Sequence, residues 1–561
     1  MLPNEQGGDM DRIVECVPNF SEGRDRRTID AIASAISSVD GVELLDVDPG
    51  VDTNRTVMTF AGSPEAVSEA AFAAIAKASE FIDMRKHKGA HARIGACDVC
   101  PFVPVSGITL EECALLARQL GERVAEELHI PVYLYGAATT RPERRNLAEV
   151  RRGEYESIPS RIGDPYWEPD FGTLVGCEKT GACIIGARRF LIAYNFNLNT
   201  RDRRIAHDIA LDIREQGRAL RDKQGRIVRY KNGRPRRKPG RFKNVKAVGW
   251  YLEQYGLAQV SMNLTDYEAT PLADVFEEVC RQAERRGVRC TGSELVGLAP
   301  KECLLEAGRH FLRKAGKTTA VPESELIHTA VRSLGLDELY PFKPEKKIIE
   351  YRLSKPKPFL DGSLTSFVDV LSQATAVPGG GSAAALTGSM AAALASMVAG
   401  FAFDEPGKSD RMEKAGRRAQ QIKTELLELV QADSAAYEAV LQAMRLKKTT
   451  EEEKEKRRQA IEQAMWHAAR VPASTLEKVK ELAVIIEEVF RHGKKSTLTD
   501  AAVAAACARA AAEGAYLNVE VNLSELGKGQ NQLSRSSKKT LEKVCLICER
   551  LLERAKKQFS S

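Results

Sequence analysis

The sequence has little that would send the protein into an oxidising compartment or a membrane. Residues 1–11 are polar and acidic, so we expect no signal peptide and a cytoplasmic protein. The twelve cysteines are scattered along the chain, which predicts reduced thiols rather than a disulfide framework. The longest apolar run, residues 381–403, is mostly Ala, Ser and Gly. Because it has few large apolar side chains, it predicts a closely packed helix of a soluble protein and no membrane partner.

Excess positive charge is confined to one segment of the chain. Residues 218–246 contain 13 Lys and Arg and one acid, Asp222, so they carry +12 in a chain of net charge +6. Their three glycines and two prolines indicate a long exposed loop or hairpin. Two interpretations remain open, a solvated mobile insertion and an anion-binding surface. A nucleic-acid-binding protein would need aromatic partners, and only Tyr230 and Phe242 are near, so we expect no nucleic acid.

Length and composition predict a soluble globular chain of about three or four domains. Two halves of the first 335 residues look related. In each half a strand-like run and an Asn-Phe pair precede the sequence Arg-Asp-Arg-Arg, at residues 24–27 and 201–204, and an amphipathic helix follows. A second strand-turn-helix and a further strand candidate follow in both halves. The pattern predicts two related α/β sandwich subdomains, built from duplicated βαβ-type units with helices on one side of each sheet.

The composition changes after a Pro- and Lys-rich linker at residues 341–358. Long amphipathic helical patterns then predict an all-α bundle, with one strand candidate at 517–523. The predicted fold class is therefore α+β followed by all-α. The predicted boundaries are 1–188 and 189–340 for the two subdomains, with the basic insertion 218–246 in the second, 341–362 for a linker, and 363–561 for the bundle.

Residues 87–105 carry the clearest sign of chemistry in the first part of the chain. His91 lies between Gly89 and Gly95, ahead of a strand-like run, and histidine titrates near neutral pH, so His91 is a candidate proton shuttle. The alternative is a solvated loop histidine. His87 and His91 have the i, i+4 spacing of a zinc pair. The glycine between them disfavours a helix, and no nearby carboxylate clearly completes a ligand set, so we expect no metal.

Two further polar residues lie at predicted strand ends in the same part of the chain. Arg55 could bind a carboxylate through two parallel hydrogen bonds. Asp48 could orient a histidine or receive a cationic group of a substrate. Ordinary turn chemistry is the alternative for the aspartate.

In the helical part, Asp433 lies in a predicted core seam of a helix over residues 408–445. A carboxylate there costs free energy unless it is paired or solvated, and burial raises its pKa toward the range useful for proton transfer. The alternative is a structural aspartate bonded to a helix terminus. The Gly-rich residues 378–382 lack the Lys of a P-loop, but such a helix start can bind an anion or admit a flat ligand. The predicted seam consists of Leu426, Val430, Asp433, Tyr437, Val440 and Met444.

Together these motifs resemble the formiminotransferase-cyclodeaminase family, bifunctional folate enzymes of histidine degradation. The resemblance covers nearly the whole chain, and its motifs are long and in the same order. They are residues 14–23, 44–48, 53–57, 87–105, 131–136, 249–252, 378–382, and Asp433 with 443–446.

The resemblance implies that His91 is the acid/base of the transferase and Asp433 the catalytic carboxylate of the cyclodeaminase. Ala90 and Ala92 stand where the family often carries Glu and Pro. The folate-binding stretch of the family falls on residues 172–181, which depart from it in detail. These are Gly172, Thr173, Leu174, Val175, Gly176, Cys177, Glu178, Lys179, Thr180 and Gly181.

The implied reaction transfers the formimino group of N-formimino-L-glutamate to tetrahydrofolate, a co-substrate. The product then cyclises to 5,10-methenyltetrahydrofolate with loss of ammonia. We expect polyglutamylated folates, whose anionic tails a basic tether could hold, and a homo-oligomer. A formylglutamate-using transferase fused to a methenyltetrahydrofolate cyclohydrolase is the alternative, and sequence does not separate the two.

Overall fold

The computed structural model describes residues 12–51, 53–89, 92–354, 357–524, 526 and 531–559. The chain forms two compact units. The α/β unit consists of Met1–Ala307 and Ala330–Ser354, and the helical unit of Gly308–Thr329 and Lys355–Ser561. The segment Gly308–Thr329 thus packs with the helical unit although it precedes the predicted linker; the boundaries themselves stay a prediction.

The α/β unit contains two large sheets and a two-stranded ribbon. The strands are β1 (Ile13–Cys16), β2 (Asn19–Phe20), β3 (Val42–Gly50), β4 (Arg55–Gly62), β5 (Cys97–Ser106), β6 (Val132–Gly136), β7 (Cys183–Ala187), β8 (Ile192–Leu198), β9 (Arg218–Ala219), β10 (Arg237–Lys238), β11 (Val245–Leu252), β12 (Leu257–Leu264) and β13 (Cys290–Val296). The helices are α1 (Arg26–Ser37), α2 (Pro64–Phe81), α3 (Leu110–Leu128), α4 (Leu147–Val150), α5 (Ile158–Arg161), α6 (Arg203–Ile213) and α7 (Leu272–Glu284).

The two large sheets repeat one topology. The first has the order β3-β4-(β1, β2)-β5-β7-β6, and the second has the order β11-β12-β8-β13. In each sheet the chain follows the path β-α-β-β-α-β. The four strands of this path lie side by side in the sheet as the second, third, first and fourth along the chain. Neighbours within this repeat run antiparallel, and only β7 adds parallel pairs, with β5 and β6. The predicted duplication is confirmed, as a split βαβ arrangement.

The repeated Arg-Asp-Arg-Arg sequence starts the first helix of each repeat. Asp25 is the N-cap of α1 and accepts a hydrogen bond from the Arg27 backbone N–H at 3.1 Å. Asp202 is the N-cap of α6 and accepts from the Arg204 N–H at 2.8 Å. An aspartate at this position satisfies a backbone donor that the helix leaves free and stabilises the helix by about 1 kcal/mol. The same four residues therefore mark the same structural point in both halves.

The helices of the first repeat cover one face of their sheet. Ile32 of α1, Ile75 of α2 and Val124 of α3 share a single buried cluster with Phe60 of β4 and Phe102 of β5. Since side chains alternate along a strand, the other side chains of β5, β6 and β7 lie on the opposite face, where they share a smaller buried cluster with the segments after β6. That opposite face positions the first candidate site.

The basic segment forms a small antiparallel structure. Strand β9 pairs with β10, and isolated bridges join Arg221 to Ile227 and Arg229 to Pro235. All of its cations are exposed except the half-buried Arg218 and Arg237. It is an exposed insertion between α6 and β11, in agreement with the predicted loop or hairpin.

The remaining helices lie at the end of the α/β unit and in the helical unit. They are α8 (Lys301–Lys314), α9 (Glu323–Leu334), α10 (Pro344–Lys347), α11 (Ile349–Leu353), α12 (Leu364–Leu371), α13 (Gly380–Ala402), α14 (Ser409–Met444), α15 (Glu451–His492), α16 (Leu498–Ser524) and α17 (Asn531–Phe559). Among the described residues of the bundle there is no strand, so the candidate at 517–523 is wrong.

Helix α13 is the central small-residue helix of the bundle. By length and composition it could cross a membrane, but 56% of its apolar window is buried within the protein. Ala391 and Ala395 of α13 share a buried cluster with Ala419 of α14 and Ala508 of α16. Small side chains allow these helices to approach closely. The burial is consistent with a core helix of a soluble enzyme.

The seam of α14 follows the predicted path in its first half and departs from it in its second. Leu426, Val430 and Val440 are buried, whereas Tyr437 and Met444 are each 41% exposed. Ala436 and Ala443 take their places in the core. An apolar pattern that repeats every 3.5 residues drifts around a straight helix by about 20° per heptad. The buried row of α14 therefore shifts by one residue in the second half of the helix.

Candidate active sites

A cleft of about 640 Å³ lies in the α/β unit beside the loop that precedes β5. Three of its residues, Arg85, Lys88 and Arg93, carry positive charge, and Glu154 and Glu156 carry negative charge. Arg85 is paired with Asp83, whereas Lys88 is exposed. The lining consists of Met84, Arg85, His87, Lys88, Gly89, Arg93, Gly153, Glu154, Tyr155 and Glu156.

His87 is held by both of its ring nitrogens. Arg93 Nε donates to His87 Nδ1 at 3.2 Å, and His87 Nε2 lies 2.8 Å from the carbonyl oxygen of Asn54. A guanidinium cannot accept a hydrogen bond, so Nδ1 is the acceptor and the proton is on Nε2. With both nitrogens occupied by the protein, His87 shapes the loop and has no free nitrogen for a substrate.

Arg93 is the central ion of the cleft. Its guanidinium donates to Glu156 at 2.6 and 2.8 Å and to Glu154 at 2.9 Å, and its side chain is 9% exposed. The hydrogen bonds to Glu156 raise the pKa of Arg93, and Arg93 in turn lowers the pKa of Glu156. Because the guanidinium of Arg93 is largely kept from water and donates to both carboxylates, these hydrogen bonds fix the end of the loop that follows position 91.

The other end of the loop is fixed by a close approach to the β3–β4 turn. Asn54 has a left-handed backbone, with φ 48°, and its side-chain amide donates to the Lys88 carbonyl oxygen at 3.1 Å. The Asn54 Oδ1 accepts from the Gly23 N–H at 3.0 Å. A Cβ at Gly89 would overlap the Thr53 carbonyl oxygen, so only glycine fits there.

The predicted acid/base, His91, lies outside the described residues, and its role stays a prediction. The structure does describe its neighbours in sequence. Lys88, Gly89 and Arg93, on both sides of it in sequence, line the cleft, and both ends of the segment are fixed as above.

Residues 172–181, the predicted folate-binding stretch, form a loop directly behind the cleft. The Lys179 carbonyl oxygen accepts from the Met84 N–H at 2.8 Å, and the Glu178 carbonyl oxygen accepts from the Tyr155 hydroxyl at 2.5 Å. Met84 and Tyr155 both line the cleft. Within the loop, Leu174 and Cys177 are buried anchors, while Gly172, Thr173, Val175, Gly176, Glu178 and Lys179 are exposed.

Asp48 and Arg55 lie on the neighbouring strands β3 and β4, with Arg55 within electrostatic range of the buried Asp98 and its partner Arg151, and neither lines the cleft. Burial lowers the pKa of Arg55, as does the nearby Arg151, while Asp98 and Asp48 oppose the shift. Asp98 is fully buried; it accepts from the Ile94 N–H at 2.9 Å and pairs with Arg151. The structure therefore brings Asp48 and Arg55 into one electrostatic group beside the loop.

The second candidate site is the N-terminus of α13 in the helical unit. The Ser382 hydroxyl donates to Asp433 Oδ2 at 2.9 Å and also lies 3.2 Å from Ser434 Oγ. A Cβ at Gly381 would overlap Asp433 Oδ1, and a Cβ at Gly380 would come within 3.3 Å of Asn518 Nδ2. The Gly-rich helix start thus does hold an anion, and the anion is the protein's own carboxylate.

Burial and hydrogen bonding act on Asp433 in opposite directions. Burial raises its pKa, and the hydroxyl and backbone N–H of Ser382 lower it, with a net shift upward. The two sequence interpretations of Asp433 therefore describe one geometry, since it is bonded to a helix terminus and also has a raised pKa. A half-buried acid of raised pKa is suited to proton transfer.

Several residues of these sites carried no signal in the sequence. Glu154 and Glu156 lie in a short turn about 60 residues after the histidines, and only folding brings them to Arg93. Ser382 was placed in a helix start, but its contact with Asp433 depends on the pairing of α13 with α14.

Among the described residues, no three His, Cys, Asp or Glu side chains are placed to hold a metal ion. The sulfur of Cys100 lies 3.5 Å from that of Cys16, inside the sheet. Since His91 is outside the described residues, the expectation of no metal stays a prediction.

Comparison with known proteins covers both units. Three family models match, described as the formiminotransferase domain, N-terminal subdomain (residues 13–188), the formiminotransferase domain (193–354) and formiminotransferase-cyclodeaminase (363–540). The formimidoyltransferase-cyclodeaminase of Rattus norvegicus is 44% identical over 525 residues, 92% of this chain and 93% of its own length.

Shorter relatives match one part each. The glutamate formimidoyltransferase of Streptococcus pyogenes serotype M1 is 41% identical over 54% of this chain and 94% of its own length. The methenyltetrahydrofolate cyclohydrolase of Methylorubrum extorquens is 33% identical over 28% of this chain and 78% of its own length. With both parts present in one chain, the protein belongs to the formiminotransferase-cyclodeaminase family of bifunctional folate enzymes.

Proposed function

We propose that the protein transfers the formimino group of N-formimino-L-glutamate to tetrahydrofolate and then cyclises the product to 5,10-methenyltetrahydrofolate. The observation that carries the proposal is the presence of two separate sites, one in each unit. The cleft beside the 87–93 loop lies in the part that matches the transferase models. Asp433 lies in the part that matches the cyclodeaminase model.

In the first reaction, N5 of tetrahydrofolate attacks the formimino carbon, and the carbon–nitrogen bond to glutamate breaks. The attacking amine loses a proton and the leaving amine gains one, so a single histidine can serve both steps. We assign this role to His91, and such catalysis contributes about 10²- to 10⁴-fold. Both ends of its loop are fixed by Gly89 and Arg93, which supports a preorganised position.

The carboxylates of the glutamate substrate need cations that are not already neutralised. Arg93 is committed to Glu154 and Glu156, which leaves Lys88 as an exposed cation of the cleft. We propose that Arg55 contributes a further contact and that Asp48 receives the cationic formimino end. The exposed face of residues 172–181 would then hold the folate.

In the second reaction, N10 of the folate attacks the same carbon and ammonia departs. The departing nitrogen needs a proton. We propose that Asp433 supplies it, because burial raises the pKa of Asp433 while Ser382 fixes its position. No metal is needed for either proton transfer.

Four further points are part of the proposal. The folate co-substrate is polyglutamylated, the enzyme is cytoplasmic, and it forms a homo-oligomer. The domain boundaries are 1–188, 189–340, 341–362 and 363–561.

A coupled assay tests the whole proposal. Formiminoglutamate and tetrahydrofolate are supplied together, and glutamate and ammonia are both measured. We expect one of each per turnover. Glutamate without ammonia would show that the helical unit is not a cyclodeaminase, as in the alternative with a methenyltetrahydrofolate cyclohydrolase. Turnover of formylglutamate in preference to formiminoglutamate would contradict the assignment of the first reaction.

Gly381→Ala should impair the second reaction selectively. The new Cβ overlaps Asp433 Oδ1, so the carboxylate must move from its position beside Ser382. A displacement of about 1 Å in a catalytic group costs on the order of 10²-fold in rate. The measurement is ammonia release from 5-formiminotetrahydrofolate, compared with glutamate release from formiminoglutamate and tetrahydrofolate in a separate assay of the same variant.

Gly400→Ala, near the end of the same helix, is the matched control. A Cβ at Gly400 meets no atom within 4 Å, so ammonia release should not change. The control should even raise the stability of α13 slightly, by up to about 1 kcal/mol. Equal loss of ammonia release in both variants would mean that helix α13, rather than the position of Asp433, is responsible.

A further inference from the structure

The basic segment is an eight-residue sequence repeated three times. Residues 217–224, 225–232 and 233–240 have the sequences GRALRDKQ, GRIVRYKN and GRPRRKPG. Each copy has Gly at its first position, Arg at its second and Arg at its fifth. The three glycines, Gly217, Gly225 and Gly233, all have left-handed backbones, with φ of 61°, 81° and 78°.

The three copies are joined in a closed ring of backbone hydrogen bonds. The N–H of Val228 donates to the Leu220 carbonyl oxygen at 2.9 Å, and the N–H of Arg236 donates to the Val228 oxygen at 2.8 Å. The N–H of Leu220 closes the ring on the Arg236 oxygen at 2.8 Å. These residues are eight apart and occupy the fourth position of each copy, so the segment has pseudo-threefold symmetry. We call it the basic trefoil, residues 217–240.

One arginine of each copy closes the trefoil. The guanidinium of Arg221 donates to the Gly225 carbonyl oxygen at 2.6 Å, and that of Arg229 donates to the Gly233 oxygen at 2.9 Å. The equivalent Arg237 donates to the Gly217 oxygen at 3.4 Å. These three arginines therefore have a structural role, which accounts for their recurrence at the fifth position.

The remaining cations are not needed to build the trefoil. Arg218 and Arg226 are paired, with Asp208 and Asp212 and with Asp222 respectively. Among the described residues, Arg234, Arg236 and Lys238 of the third copy have no carboxylate partner. All three are exposed.

Such a concentration of charge on a folded surface is costly unless anions bind to it. Like charges repel across a few ångströms, and the repulsion is removed by a ligand that carries several negative charges. The trefoil has no buried apolar side chain of its own, as Ile227 is 37% and Tyr230 57% exposed. The regular fold of the trefoil therefore exposes charged side chains and encloses no hydrophobic core.

We propose that the basic trefoil binds the linear oligo-γ-glutamate tail of the folate co-substrate. The proposal rests on the function assigned above and adds a location and a chemical class for the tail contact. A γ-linked glutamate chain bears one carboxylate on each residue, and guanidinium groups match carboxylates in geometry as well as charge. The third copy, with its unpaired cations, is the first point of contact.

A single-stranded nucleic acid is the less favoured ligand of this surface. Proteins that bind single strands stack successive bases on exposed aromatic rings. The trefoil has one aromatic side chain, Tyr230, and the guanidinium of Arg236 already lies 5.7 Å from the centre of its ring. With one ring for 24 residues, charge and not stacking must supply the affinity.

The test compares two variants with the same loss of charge. The trefoil variant carries Arg234→Gln, Arg236→Gln and Lys238→Gln. The control carries Arg145→Gln, Arg203→Gln and Arg285→Gln, three exposed arginines of the same unit that have no ion pair among the described residues. Binding of free penta-γ-glutamate is measured by calorimetry, and transferase KM is measured with mono- and pentaglutamyl tetrahydrofolate.

We expect the trefoil variant to weaken penta-γ-glutamate binding and raise the pentaglutamyl KM by about tenfold, as the loss of three surface contacts implies. The monoglutamyl KM should change less than twofold, and the control should match the unmodified enzyme. Rising salt should weaken the tail contact. Equal effects of the two variants, or equal effects on both folates, would overturn the proposal, as would tighter binding of an RNA oligomer of equal charge.

The two proposals fail in different ways. Binding of penta-γ-glutamate requires no turnover, so it tests the trefoil even if the enzyme has another reaction. Turnover of monoglutamyl folate requires no tail, so it tests the reaction even if the trefoil binds nothing.

Discussion

A His91→Ala variant should lose transferase activity by about 10²- to 10⁴-fold and keep its cyclodeaminase activity. The loss follows because alanine can neither take the proton from N5 nor give one to the departing amine. The second reaction takes place in the helical unit, which contains its own carboxylate at Asp433. The measurement is glutamate release from formiminoglutamate, beside ammonia release from chemically prepared 5-formiminotetrahydrofolate.

His129→Asn is the control for this experiment. His129 is exposed at the C-terminus of α3, in a left-handed conformation that asparagine tolerates. It should keep both activities. If His91→Ala releases glutamate at the rate of the unmodified enzyme, the acid/base lies elsewhere, and His87 is not its replacement because both its nitrogens are bonded within the protein.

An Asp433→Asn variant should accumulate 5-formiminotetrahydrofolate. Asparagine has the shape of aspartate and can still accept from Ser382, so the fold of the site is kept, but its amide protons are not acidic and cannot be transferred. Formation of the methenyl product is followed by its near-ultraviolet absorbance, and we expect a loss of at least about 10²-fold.

The raised pKa of Asp433 also sets the direction of the pH dependence. Activity that requires the protonated acid should fall as pH rises through this pKa, which burial raises from the ordinary value of an aspartate. Asp433→Asn should remove that limb of the profile. Asp410→Asn, at an exposed position in the first turn of the same helix, should leave rate and profile unchanged. Methenyl product at the unmodified rate in Asp433→Asn would make the aspartate structural.

The local sequence predicted the structure correctly where neighbouring residues alone determine it. The Arg-Asp-Arg-Arg repeats start equivalent helices because an aspartate at an N-cap needs only its next neighbours. The strand prediction at 517–523 is wrong because these seven residues, in which apolar and polar side chains alternate, continue the longer helical pattern of α16. The buried row of α16 continues through Ala515, Val519 and Leu523 at a spacing of four, and Leu517 and Val521 face outward.

The sequence by itself determined the family, the duplicated α/β halves, the helical bundle and the position of Asp433 in a core seam. It also contained the three octapeptides of the basic trefoil and their excess positive charge. Only the tertiary structure decided what the charged groups face. Arg93 is neutralised by Glu154 and Glu156, and Asp433 closes the start of another helix. Such contacts join residues 51 to 63 positions apart, and their free energy depends on burial, which no local pattern encodes.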